Sequence, residues 1–172
     1  MRIIVCSDTH RNYFALETVV KKHMNADMFI HLGDGKYETD TLLMKYPELE
    51  RRFFYVCGNC DIGCSESSVF TTWTDEGHKI FATHGHKYGV NYGLEYLKQT
   101  ALMNNADIIL YGHTHQRYMK YENGIYIMNP GSASSPRDDK KASYGIIDIT
   151  KSGILMNIAD VWKGYTIYYS VC

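Results

Sequence analysis

The sequence predicts an α/β (α+β) protein, a two-sheet β-sandwich flanked by helices. Three observations carry that expectation. Short apolar runs alternate with stretches of helical periodicity over the first two-thirds of the chain. The last third reads as hairpins, with glycine-containing turns. No Pro/Gly/Ser-rich linker, repeat or low-complexity stretch interrupts the 172 residues, so they are expected to form one domain, 1–172.

The elements follow in order. Residues 2–6 (RIIVC) form an apolar strand. Residues 13–24 place Leu16, Val19, Val20 and Met24 at helical spacing. Residues 28–32 (MFIHL) are a second strand. Residues 38–46 form a short helix stopped by Pro47, which has no amide proton to continue it. Residues 53–57 (FFYVC) are a third strand. Residues 69–74 and 78–83 pair around Asp75-Glu76-Gly77. A helix spans 92–104 and a strand 107–111 (DIILY). Residues 117–128 fold back around Asn123-Gly124, a dipeptide suited to the positive φ of a hairpin turn. Residues 143–150 and 153–171 are strands. The tail bearing Trp162, Tyr165, Tyr168 and Tyr169 is expected either to complete a sheet or to meet a second subunit in a homodimer.

Composition narrows the function. Hydrophobic residues make up 45% of the chain, which argues against disorder. Net charge is −1 with no basic run, so stable nucleic-acid binding is not expected, although a nucleotide remains a conceivable substrate. The opening MRIIVCSDTH breaks its apolar run at Ser7-Asp8, too early for a signal peptide or membrane span; a soluble cytoplasmic protein with no membrane partner is expected. The five cysteines are odd in number, and with no secretory signal a disulfide framework is not expected. Cys57 and Cys60 have the spacing of a redox pair, but Gly63 and polar residues follow instead of a helix.

The chemistry lies at the strand ends. Ser7-Asp8-Thr9-His10 follows the first strand, Gly33-Asp34 the second and Gly58-Asn59 the third. His84-Gly85-His86 follows KIFAT, and Gly112-His113-Thr114-His115 follows DIILY. In open α/β sheets, ligands bind beyond the carboxyl ends of the strands, so these loops are expected to meet. Side chains two apart in extended chain point the same way, which would let Asp8 and His10 address one ion, and His113 and His115 likewise. Asp8, His10, Asp34, Asn59, His84, His113 and His115 are too many donors for one four-coordinate zinc. They suit two divalent ions with a bridging carboxylate. Imidazole, carboxylate and carboxamide ligands point to Mn²⁺ first, with Ni²⁺, Fe²⁺, Co²⁺ or Zn²⁺ as the other candidates. Two such ions against two aspartates leave a charge of about +2, which suits a small phosphoester and a hydroxide between the ions. Read singly, each motif has a plainer meaning: Ser7 or Asp8 could simply cap the next helix.

Taken together, Asp8-Thr9-His10, Gly33-Asp34, Gly58-Asn59, His84 and Gly112-His113-Thr114-His115, in that order, resemble the calcineurin-like metallophosphoesterase superfamily. The small size, the Gly-Asn-Cys-Asp run at 58–61 and the Asn129-Pro130-Gly131-Ser132 turn resemble its compact bacterial and archaeal phosphodiesterase branch. The resemblance implies a hydrolase with a dinuclear centre and a metal-bridging hydroxide as nucleophile. It assigns Asp8, His10, Asp34 and His115 to one ion, and Asp34, Asn59, His84 and His113 to the other. Many members place a histidine after the asparagine to protonate the leaving group; here that residue is Cys60. Asp61 and His86 are the substitute candidates for the acid, and Arg11 and Cys60 are candidates to touch substrate. The same fold also serves as a protein-binding scaffold in a subunit of the retromer coat, with part of the metal set altered, so a non-catalytic scaffold is the alternative.

Overall fold

A computed structural model describes residues 1–162 and the backbone of 167–171. Among the described residues, eleven strands form two sheets. The first holds β1 (Arg2–Cys6), β2 (Met28–His31), β3 (Phe53–Tyr55), β9 (Ser143–Thr150), β10 (Gly153–Asp160) and β11 (Ile167–Val171), in the order β11-β10-β9-β1-β2-β3. The second holds β4 (Val69–Trp73), β5 (Lys79–Thr83), β6 (Ile108–Tyr111), β7 (Arg117–Glu122) and β8 (Ile125–Pro130), in the order β4-β5-β6-β8-β7. Helices α1 (Tyr13–Lys22), α2 (Lys36–Lys45) and α3 (Glu95–Met103) complete the layers.

Strand alternation sorts the core. In β1, Ile3 and Val5 point into the seam between the sheets, where Ile30, Ile80, Leu110 and Met128 meet them. Ile4 and Cys6 point outward and pack with Leu16, Val20 and Phe29, the first two from α1. On the far side, Leu97 and Ala101 of α3 cover Phe81 and Ile109. Both faces of β1 are therefore buried, which is why its sequence is apolar without interruption.

Parallel pairing decides where the loops gather. β1, β2 and β3 run parallel in one sheet, and β5, β6 and β8 run parallel in the other. The carboxyl ends of the three strands in each sheet thus share an edge, and the next loops emerge there.

Most predicted elements are present. Helix α1 ends at Lys22, sooner than expected, and its cap is Asn12, whose side chain accepts the Ala15 amide, instead of Ser7 or Asp8. Two 3-10 turns, Pro47–Arg52 and His86–Tyr88, were not predicted; such turns are too short to show periodicity. β11 pairs with β10, so the tail completes the first sheet through its backbone. Tyr165 lies outside the described residues. Against expectation, Cys57 and Cys64 form a disulfide, leaving Cys6 and Cys60 as free thiols. Cys57 therefore does not pair with Cys60. The bond closes the short loop carrying Asn59, a proximity that cysteine parity could not reveal. No helix among the described residues is long and apolar enough to cross a membrane.

Candidate metal centre

Asp8 and His10 follow β1, Asp34 follows β2 and Asn59 follows β3; His84 follows β5, and His113 and His115 follow β6. The expectation that residues two apart converge because the chain is extended is not met. Asp8 (φ 54), His10 (φ 42), Asp34 (φ 57), His113 (φ 68) and His115 (φ 58) all adopt the left-handed conformation. That region is sparsely populated for side-chain-bearing residues and persists only where surrounding contacts enforce it. The enforcing bonds are present: the Asp8 amide donates to the Gly33 carbonyl (3.0 Å) and the His10 amide to the Asp34 carbonyl (3.0 Å). Close approach supplies the rest. A β-carbon on Gly58 would lie 2.0 Å from Asp34 Oδ1, and one on Gly112 would lie 2.0 Å from Ser7 Oγ.

Three sets of potential ligand atoms lie within 4.8 Å of one another at this edge: Asp8, His10 and His115; Asp8, Asp34 and His84; and His10, Asp34 and Cys60. His115 Nε2 is 3.2 Å from Asp8 Oδ1 and 3.0 Å from His10 Nε2. His84 Nε2 is 3.4 Å from Asp34 Oδ2 and 3.0 Å from Asn59 Oδ1. His113 turns the other way from His115, so these two histidines do not address one ion. Its ring meets that of His84 at 5.1 Å, and its Nε2 contacts Asn91 Nδ2 at 3.0 Å.

The Nε2 contacts of these rings to oxygen are not ordinary hydrogen bonds of neutral imidazoles. His115 Nδ1 donates to the Ser135 carbonyl (2.7 Å) and His84 Nδ1 donates to the Leu32 carbonyl (2.7 Å). A carbonyl can only accept, so in the neutral ring the proton sits on Nδ1 and Nε2 presents a lone pair. Those lone pairs face carboxylate and carboxamide oxygens. Asp8 Oδ1 is buried and has no hydrogen-bond partner. A cation is what such facing acceptors require, and the donor set fits a divalent metal. Without a cation between them, the carboxylates favour the protonated imidazole, the positive charge that a bound metal would replace. Burial pulls His84 down, but Asp34 and Asp8 outweigh it and hold the ring above its ordinary value. Burial likewise opposes, and Asp8 overcomes, at His115. Burial raises Asp34 and Asp8, yet the neighbouring imidazoles, with the Cys60 amide at Asp34 and Ser7 at Asp8, hold both carboxyls below the usual range.

Asp61 has a different position from the one expected of an acid. Its Oδ2 accepts from the Asp34 amide (2.8 Å), the Gly58 amide (2.7 Å) and Tyr55 Oη (2.5 Å), and its Oδ1 from the Gly35 (3.0 Å) and Lys36 (3.0 Å) amides. Burial opposes ionisation, but these five donors outweigh it and lower its pKa. An ionised carboxylate saturated with donors holds no proton to give. It anchors the Asp34 loop, the Asn59 loop and the first turn of α2 to one another.

The remaining candidates lie at the rim. His86 stands beside His84 and His113, with ring centroids 5.3 and 6.1 Å away, and its Nδ1 is buried without a partner. Burial and these two histidines lower its pKa. Cys60 is exposed; burial of its thiol and the adjacent Asp34 raise its pKa to about 11, so it is a thiol at neutral pH. Arg11 (φ 65) is exposed and lines a cavity of about 450 Å³ together with His10, Asp34 and Cys60.

Several supporting residues escaped the sequence reading. His31 is buried beneath the site; its Nδ1 accepts the Gly33 amide (3.2 Å) and its Nε2 meets Thr9 Oγ1 (3.2 Å). The Asn129-Pro130-Gly131-Ser132 turn braces the ligand loops. Ser132 Oγ donates to the Asp8 carbonyl (2.7 Å), and Asn129 Nδ2 donates to the Gly112 carbonyl (2.9 Å).

A family model described as the calcineurin-like phosphoesterase superfamily domain matches residues 1–152. The chain belongs to that superfamily. It is 31% identical over 161 residues to the probable metallophosphoesterase YsnB of Bacillus subtilis, covering 93% of this chain and 91% of that protein. It is 27% identical over 168 residues to the phosphodiesterase YfcE of Escherichia coli K12, covering 86% of this chain and 88% of that protein. A solved structure of a predicted phosphoesterase from Streptococcus pneumoniae TIGR4 superposes with a TM-score of 0.86 at 28% identity, covering 99% of this chain and 95% of that one. The superfamily member described here is a metal-dependent phosphoesterase, a hydrolase, with the two-sheet fold of its relatives.

Proposed function

We propose that this phosphoesterase acts on phosphodiesters, as a single domain spanning 1–172, with two divalent ions and Mn²⁺ as the preferred metal. The observation that carries the two-ion reading is the pair of inward-facing, lone-pair-bearing Nε2 atoms of His84 and His115. Each is fixed by a backbone carbonyl on its Nδ1, and each faces a different carboxylate. Asp8, His10, Asp34 and His115 would hold one ion, and Asp34, Asn59, His84 and His113 the other, with Asp34 shared. When bound, the ions supply an activated water and neutralise the charge that develops on phosphorus.

The chain's own residues then orient and protonate. Arg11, exposed beside His10, meets a non-bridging phosphate oxygen. His86 is the candidate acid for the departing alcohol: it adjoins the His84–His113 pair, its unpartnered Nδ1 leaves the ring uncommitted, and its lowered pKa confines proton donation to the imidazolium present at acid pH. Cys60, a thiol at neutral pH, contacts the substrate without supplying the proton. Asp61 holds the two ligand loops together and does not itself react. The preference for diesters is supported by the names of the Escherichia coli and Methanocaldococcus jannaschii relatives, both phosphodiesterases. A cytoplasmic location is part of the proposal, and finding Cys57 and Cys64 reduced in protein isolated under thiol-blocking conditions would support it.

The deciding experiment is hydrolysis of bis(4-nitrophenyl) phosphate by the full chain with added Mn²⁺, against a chelator control. Turnover that appears with metal and vanishes with chelator supports the reading. A protein that binds Mn²⁺ yet turns over no diester would favour the scaffold alternative.

A further inference from the structure

The cavity beside His10 and Asp34 has two kinds of wall. One is charged: Lys36 is engaged by Asp40 and by Glu66, at 2.8 Å from the latter. That leaves the side chain of Arg11, which makes no ion pair or hydrogen bond among the described residues. The other wall is apolar and open. Tyr37 is 70% exposed and Ile62 is 100% exposed, both at the mouth of the same cavity. A fully exposed isoleucine gains nothing from its position in the free protein.

Their placement is fixed by the site itself. Tyr37 follows Lys36, whose amide donates to Asp61 Oδ1 (3.0 Å), and Ile62 follows Asp61 directly. One carboxylate therefore sets the spacing between the two apolar side chains and ties both to the Asp34 loop. A phosphate centred at the ligand cluster, with one oxygen at Arg11, would direct one of its two ester arms along this wall. About 450 Å³ accommodates a ring-sized group and far exceeds what a methyl group needs.

We infer that this cavity is the subsite for the second ester arm, and that Tyr37 and Ile62 select diesters in which that arm carries a flat ring, aryl or nucleobase. The inference rests on the phosphodiesterase reading and adds the substrate class. Stacking a ring against the tyrosine and covering the isoleucine removes apolar surface from water, enough for an effect of about tenfold.

The test compares three 4-nitrophenyl phosphodiesters with a common leaving group and a methyl, a phenyl or a thymidin-5′-yl second arm, using the Mn²⁺-loaded full chain. The expected result is a KM about tenfold lower for one or both ring-bearing esters than for the methyl ester. Whichever ring gains more identifies the arm as aryl or nucleoside. In Tyr37→Ala/Ile62→Ser the ratio should fall to near one, while Tyr37→Phe, which keeps the ring, should preserve it. Equal KM values in the wild-type chain, or a ratio that survives the double substitution, overturns the inference. Calorimetric titration with phenyl phosphate and methyl phosphate gives an independent readout. If no diester is hydrolysed, the diesterase reading falls, and the calorimetric ratio alone decides whether the subsite prefers a ring.

Discussion

The two sheets contribute opposite halves of the site. From the first come the carboxylates and the carboxamide, Asp8, Asp34 and Asn59, together with His10. From the second come His84, His113 and His115. The halves are held by different means. The carboxylates sit in left-handed turns cross-braced by backbone amides, and the Asp34 and Asn59 loops are further clamped by Asp61. His84 and His115 are held through Nδ1, each by one backbone carbonyl. Both sides are braced, the histidine loops by Asn129 on the Gly112 carbonyl and by the His113 amide on Asp8 Oδ2 (3.1 Å), but only the carboxylate side carries the Asp61 clamp, with its five donors. Charge resides on the heavily braced side, because two ionised carboxylates close together repel and must be held in place until a cation arrives. Neutral imidazoles need only to be aimed.

The largest expected effect tests the shared carboxylate. Asp34→Asn should remove at least ~10³-fold of turnover and lower bound metal at both positions, because one ligand serves two ions. Elemental analysis of the dialysed variant checks it, and retention of two ions with intact activity would break the bridging assignment. His115→Ala on the imidazole side should cost less metal but still remove most turnover, ~10²-fold or more. Equal metal loss in the two variants would erase the proposed asymmetry between the halves.

Asp61→Asn sharpens the comparison without touching a ligand. An amide nitrogen would face backbone N–H groups that the carboxylate now satisfies, loosening Asn59 relative to Asp34. The affinity of the ion on the Asn59 side should fall ~10–100-fold, with the other ion largely retained, as measured by calorimetric Mn²⁺ titration. Loss of both ions in equal measure would mean that the clamp is not local.

The smallest effect is on stability. Burial holds His31 and His23 at about 4, below the ordinary 6.5. Between those values the unfolded chain binds protons that the folded chain refuses, so stability declines as pH falls through 6.5 toward 4. By pH 5 each histidine should cost up to ~2 kcal/mol. Urea unfolding at pH 7 and 5 measures it, and His31→Gln should flatten part of the slope.

What was legible along the chain was local. Alternation and helical spacing marked nearly every regular element, because burying one face imposes its period on the residues. The donors were legible because metal chemistry admits few residue types, and five strand ends carried them. The reason offered for convergence was wrong all the same: extended geometry was assumed where the structure has left-handed turns. The helix cap fell on Asn12, a choice that depends on where the chain leaves the preceding turn.

The sequence by itself determined the layers, the candidate donors at the strand ends and the family, since these depend on residue type and order. Tertiary structure alone decided that Asp61 is a clamp and not an acid, that His31 underlies the site and that Cys57 bonds to Cys64. Each of these is settled by where a side chain meets atoms of another loop. Such distances are set by how two sheets and their loops pack, and no local pattern of residue types encodes them.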